Sequence, residues 1–244
     1  MKNALLVLGI GLAALLVSGC AVAEKAGPVK TTEATAYYEN GNAALKSKDY
    51  DRAIDSLQRA LALKPDFPEA LNLLGMSYFY KNDYKTARGK FERAIALNPS
   101  YAFAYANLGN LYFMTGQPDK AEELLKRALG ISPNLVSAYY SLGAIYVELG
   151  RADEAATYLT KGLELDPDYF ETHKSFIAAP SARSAAESYF AWARVFALRA
   201  DVKKTLQFLE SAKRAGFRDW GRIASDKAFD LVRDNPEIRK YFRS

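Results

Sequence analysis

The chain has one cysteine, Cys20, and one histidine, His173, in 244 residues. A single thiol excludes an intramolecular disulfide framework and a multi-cysteine metal site, and a single imidazole removes most metal, triad and proton-shuttle schemes. Charge of one sign is not in great excess: 33 Lys/Arg face 28 Asp/Glu, a net +5. The surplus is local, since residues 171–244 carry 15 Lys/Arg against 9 Asp/Glu, and solvated helix faces account for it more simply than an anionic surface. A membrane-spanning run is missing too. The longest apolar stretch, ALLVLGIGLAALLV at residues 4–17, falls short of the roughly 20 residues needed to cross about 30 Å of hydrocarbon. Paired acids, a nucleophile with a base, metal-ligand spacings and Gly-rich phosphate loops are all lacking. The chain therefore reads as no enzyme, with no catalytic residue, metal ligand or cofactor site, although its half-apolar, quarter-charged composition is that of a folded protein.

What is present begins at the amino end. Met1-Lys2-Asn3 gives a positive start ahead of the apolar run, which is the shape of a secretory signal. The run ends in Val17-Ser18-Gly19-Cys20, which resembles the bacterial lipobox: an aliphatic residue, two small residues, then a cysteine. Small residues let a peptidase approach the backbone, and the thiol is the atom that is alkylated. The resemblance implies a signal peptide at 1–19 and covalent lipid on Cys20. Each buried methylene contributes about 0.8 kcal/mol, so two acyl chains hold a protein to a membrane without a spanning helix. Ala21 in place of an aspartate resembles lipoproteins sent to the outer membrane, which implies the periplasmic face of that membrane in a bacterial cell envelope. Residues 20–32 lack periodicity, contain Gly27-Pro28, and read as a flexible linker.

A period of 34 residues governs the next part. Gly41, Gly75, Gly109 and Gly143 recur at that spacing, and so do Pro65, Pro99, Pro133 and Pro167. Between them recur Ala53, Ala87, Ala121 and Ala155, then Ala60, Ala94, Ala128 and Gly162, with Tyr78, Tyr112 and Tyr146 three residues after their glycines. Each unit holds two helical apolar patterns split by a turn such as Lys81-Asn82-Asp83, and its proline ends the second helix. One hairpin cannot bury its own apolar face, but stacked hairpins can. These positions resemble the tetratricopeptide repeat (TPR). The resemblance implies an all-α, right-handed superhelical solenoid with four repeats at 33–66, 67–100, 101–134 and 135–167.

After Pro167 the register breaks. Residues 168–184, stopped by Pro180, read as an irregular insertion. Residues 185–216 read as a fifth, degenerate hairpin with Ala193 at the glycine position and Ala212 at the later alanine position. Residues 217–244 read as a capping helix set out by Asp226, Phe229, Leu231, Arg233 and Pro236.

In the resembled family the first helix of each pair lines a concave groove. Helical spacing places Tyr38, Asn42, Asn72, Met76, Phe79, Tyr80, Phe103, Asn110, Phe113, Met114 and Tyr140 on that face. Aromatic and Met side chains are adaptable apolar anchors, and Asn both donates to and accepts from a peptide backbone. The competing reading buries several of these against neighbouring hairpins. Chaperone-binding relatives hold a terminal carboxylate with Lys and Arg at positions filled here by Tyr38, Asn42, Asn72, Met76, Ala106, Asn110, Tyr140 and Ala144, so the groove has no cationic clamp. Tyr50, Tyr78, Tyr84, Tyr112 and Tyr146 fall at packing positions.

The expectation is a membrane-anchored, non-catalytic scaffold that holds a protein or peptide partner in an envelope complex. The resemblance names pilus or secretion assembly, outer-membrane biogenesis, polysaccharide export and cell-wall regulation as settings. A glycan- or lipid-binding lipoprotein using the groove aromatics is the alternative, and a secretory signal leaves no role for nucleic acid.

Overall fold

The computed structural model describes residues 28–169 and 185–243. Five helix pairs follow in order: α1 (Pro28–Lys46) with α2 (Tyr50–Leu63), α3 (Pro68–Tyr80) with α4 (Tyr84–Leu97), α5 (Ala102–Met114) with α6 (Pro118–Ile131), α7 (Val136–Glu148) with α8 (Ala152–Leu165), and α9 (Ala185–Leu198) with α10 (Val202–Arg214). Two short helices, α11 (Gly221–Ser225) and α12 (Pro236–Arg239), and 3-10 turns at Lys227–Phe229 and Lys240–Arg243 close the chain. No strand occurs among the described residues, and none of their helices is long and apolar enough to cross a membrane. The first helices of successive pairs touch one another, α1 with α3, α3 with α5, α5 with α7 and α7 with α9, whereas the second helices make no comparable contact. The array therefore curves with the first helices inside, as an all-α superhelix.

Side-chain capping starts three of the five second helices. Asp49, Asp83 and Asp201 accept hydrogen bonds from the backbone N–H of Arg52 (3.2 Å), Thr86 (3.1 Å) and Lys204 (2.9 Å), satisfying donors that a helix start leaves open. The turn before each cap also repeats. Lys48, Asn82, Gly116, Gly150 and Ala200 all have positive φ, and the Asp49, Asp83, Gln117, Arg151 and Asp201 amides bond back to carbonyls five residues earlier. This is the closed helix end in which a left-handed residue reverses the chain.

The 34-residue glycines have a specific cause. A Cβ on Gly75 would stand 2.6 Å from the Phe91 ring, and one on Gly41, Gly109 or Gly143 would stand 2.6, 2.9 or 2.4 Å from Leu57, Leu125 or Leu159. Each contact partner lies 16 residues on, in the second helix, and Leu209 repeats the spacing from Ala193. Gly162 replaces alanine because the Tyr140 ring already stands 3.1 Å from where its Cβ would be. First helices such as α5 (AFAYANLGNLYFM) are apolar nearly all round because they are sandwiched; second helices such as α6 bury only one stripe, Ala121, Leu125 and Ala128. A fully buried leucine such as Leu125 contributes about 1.5–3 kcal/mol.

Three expectations are corrected. The linker does not extend to residue 32: α1 begins at Pro28, where the missing N–H is one a first helical turn leaves unused and the fixed φ suits the helix. Of the insertion, Asp168 and Tyr169 are helical rather than irregular, because Asp166 accepts from both their backbone N–H groups at 3.0 Å. The ending is not one capping helix but α11, α12 and two 3-10 turns, with Phe229 fully buried and Leu231 69% exposed. Phe190 stacks on Phe217 at 4.3 Å, and Trp220, Ile223, Val232 and Ile238 complete the seal. Arg233 clamps the cap by donating to the Ala224 carbonyl (2.6 Å) and the Asp230 carboxylate (2.6 Å). The signal peptide, Cys20, His173 and the rest of the insertion lie outside the described residues.

Candidate functional site

The inner face of α1, α3, α5 and α7 gathers most of the residues that helical spacing selects. Phe103 near the start of α5 is 54% exposed, Met114 at its end is 59% exposed, and Tyr80 at the end of α3 is 38% exposed. Tyr38, Asn42, Met76, Phe79, Asn110 and Phe113 are half-buried beside them. The rings are not loose. Tyr38 lies 5.0 Å from Phe67, Tyr80 stacks on Tyr50 at 5.3 Å, and Phe79 lies 5.6 Å from Tyr84. Tyr80 thus presents one edge, while Phe103 and Met114 are open.

Two selected residues do not face the groove. Asn72 is 3% exposed; its Oδ1 accepts from Asn107 Nδ2 at 2.8 Å, and its own amide nitrogen sits 4.0 Å from Met76 Sδ. Tyr140 is also 3% exposed, stacked on Tyr169 at 4.9 Å and 6.0 Å from Trp192, with no hydrogen-bond partner for its hydroxyl. Both sit where one first helix meets the next hairpin, so neither side chain is free to meet a ligand. Among the residues expected at packing positions, Tyr146 is 1% exposed, whereas Tyr50, Tyr78, Tyr84 and Tyr112 are half-buried.

Asn107 was not selected by spacing. It occupies the repeat position of Glu39, Leu73 and Ser141, a mixed column that gives no sequence signal. It anchors a polar spot near the start of α5, where burial, with lesser contributions from Tyr38 and Glu69, pushes the Tyr101 phenol up to about 12 despite the neighbouring Asn72 amide. Few charged side chains fall on this face: Lys46 in the first repeat, Glu69 in the second and Glu148 in the fourth. An extended apolar and amide surface of this kind has the chemistry to meet apolar side chains and peptide groups.

Comparisons with known proteins agree with this geometry. Family profiles described as tetratricopeptide repeat match residues 72–136 and 116–179, and a third, described as TPR repeat, matches 41–79. No curated protein matches the chain. Among solved structures, Pseudomonas aeruginosa pilF superposes with a TM-score of 0.55 at 16% identity, covering 87% of this chain and 98% of that one. An O-GlcNAc transferase of Thermobaculum terrenum gives 0.53 at 25% identity, over 55% of this chain but only 26% of that one. The MamA protein gives 0.49 at 22% identity, over 80% and 96%. The three profile matches together run through residues 41–179, more than half of the sequence. The chain belongs to the tetratricopeptide repeat family.

Proposed function

We propose that this protein is a non-catalytic scaffold that holds a polypeptide partner along the inner face of its repeats, tethered to a membrane through lipid on Cys20. The observation that carries the reading is the exposure of Phe103, Met114 and Tyr80 on one curved surface. Contiguous apolar exposure is an aggregation hazard unless something covers it. The near absence of charge there favours a partner segment that offers apolar side chains and backbone groups, not an acidic tail. The resemblance of Val17–Cys20 to a lipobox supports attachment in a bacterial envelope.

A photo-crosslinking residue at Phe103 or Met114, compared with the same residue at exposed Leu231 in the cap, tests the groove in intact cells. Protein adducts confined to the groove positions are expected. Equal labelling at Leu231, or adducts to polysaccharide alone, would overturn the reading. The tether is tested separately: a fatty-acid analogue should label the wild type and not Cys20→Ala.

A further inference from the structure

Outside the groove, a cleft of about 1300 Å³ opens between α8 and the cap, and none of the groove residues lines it. Arg194 of α9 stands in its wall with a side chain only 8% exposed. Its Nε donates to Asp226 Oδ2 at 2.5 Å and its Nη2 to Asp226 Oδ1 at 3.3 Å, while Nη2 also pairs with Asp153 of α8. Nη1 makes no hydrogen bond. The guanidinium is therefore saturated along one edge and half used along the other. Asp153, which meets that second edge through one oxygen, is 90% exposed.

A buried arginine with an unused nitrogen costs free energy that a second bidentate partner would recover. Asp153 is positioned to yield, because an ion-pair partner so exposed contributes little. Arg151, Lys161, Arg222 and Lys227 also line the cleft, and Thr160 Oγ1 there is a second polar atom without a partner. Arg151 already pairs with Glu122 and Glu154, Lys161 with Glu164 and Arg222 with Glu187, so the cation a ligand would chiefly meet is Arg194 once Asp153 turns outward. Leu129, Leu198, Ala156 and Ala228 supply apolar wall beside the charges.

We propose that this cleft is a second binding site, for the C-terminal carboxylate of a polypeptide, in which the ligand displaces Asp153 and forks onto Nη1 and Nη2 of Arg194. The apolar wall suits a terminal side chain better than a sugar ring, whose hydroxyls it would leave unpaired. The site is independent of the groove, so failure of either assignment leaves the other standing.

Calorimetric titration of the purified protein with a short uncharged-side-chain peptide bearing a free C-terminus, its amidated twin, and oligogalacturonate tests the proposal. The free peptide is expected to bind wild type, about threefold more tightly to Asp153→Ala, and about tenfold or more weakly to Arg194→Lys. Asp153→Ala leaves the Arg194–Asp226 pair intact, so it decides the matter even if the arginine variant folds poorly. Equal binding of the amidated peptide, unchanged or weaker binding by Asp153→Ala, or binding of oligogalacturonate in place of the peptide would each overturn the proposal.

Discussion

Residues 28–165 and residues 185–243 fill their interiors by different means. In the repeats, small residues bring helices close: Gly75 against Phe91, Gly109 against Leu125, with Ala87, Ala94, Ala121 and Ala128 fully buried. In the final hairpin and cap, rings stack, Phe190 on Phe217 at 4.3 Å and Phe196 on Phe208 at 5.4 Å, and one arginine is buried between two carboxylates. A repeat meets a near copy of itself, so the same small residues serve each time. The last unit meets no copy, and large rings fill the irregular space between a hairpin and short helices.

The difference can be broken from the cap side first. Phe229→Ala removes a fully buried ring from the seal and should cost about 3–5 kcal/mol in urea unfolding; a loss below 1 would mean the cap is not part of the folded core. Next, Arg194→Met leaves Asp226, 14% exposed, without its partner and should cost about 3 kcal/mol. Arg59→Met in the second helix of the first repeat removes an exposed pair with Asp55 and should leave the urea midpoint nearly unchanged. Equal losses would erase the distinction between the two regions.

The turns make a finer comparison. Ala200 in the last hairpin holds φ at 55° where the third and fourth repeats have glycine, so Ala200→Gly should raise stability by about 1 kcal/mol; Gly116→Ala should lower it by a similar amount. Alkaline pH probes both regions through phenols. Tyr101 in the repeats and Tyr241 in the cap are each raised from the ordinary 10.0 to about 12, by burial first and then by the Tyr38 phenol at Tyr101 and the Glu210 carboxylate at Tyr241. A raised folded-state value means that stability is complete below pH 10 and is lost as pH climbs toward 12. Thermal melts across that window should flatten in Tyr101→Phe and Tyr241→Phe, with phenolate absorbance confirming the late titration. The smallest effect is expected at Tyr140→Phe, which deletes an unpartnered buried hydroxyl and should be neutral or stabilising by under about 1 kcal/mol.

The face of each first helix was legible because these helices repeat in register; that Phe103 and Met114 stay open on it came from the structure. Asn72 and Tyr140 were misplaced because spacing locates a residue on a helix and does not say how far the next hairpin overlaps it. Asn107 escaped because its role depends on a partner 35 residues away. Nothing local marks Arg194: Asp153 lies 41 residues before it and Asp226 32 after.

The sequence by itself determined the helix pairs, their 34-residue stacking and the small residues at the crossings, since each rests on contacts within one unit or between equivalent units. Its first 27 residues also hold Val17–Cys20, whose resemblance to a lipobox is what the proposed tether rests on. Only the tertiary structure decided which groove side chains stay open, how the array ends, and that a cleft with a half-used arginine lies beside the cap. Those outcomes depend on where non-equivalent segments meet, and a repeating pattern holds no information about a junction that occurs once.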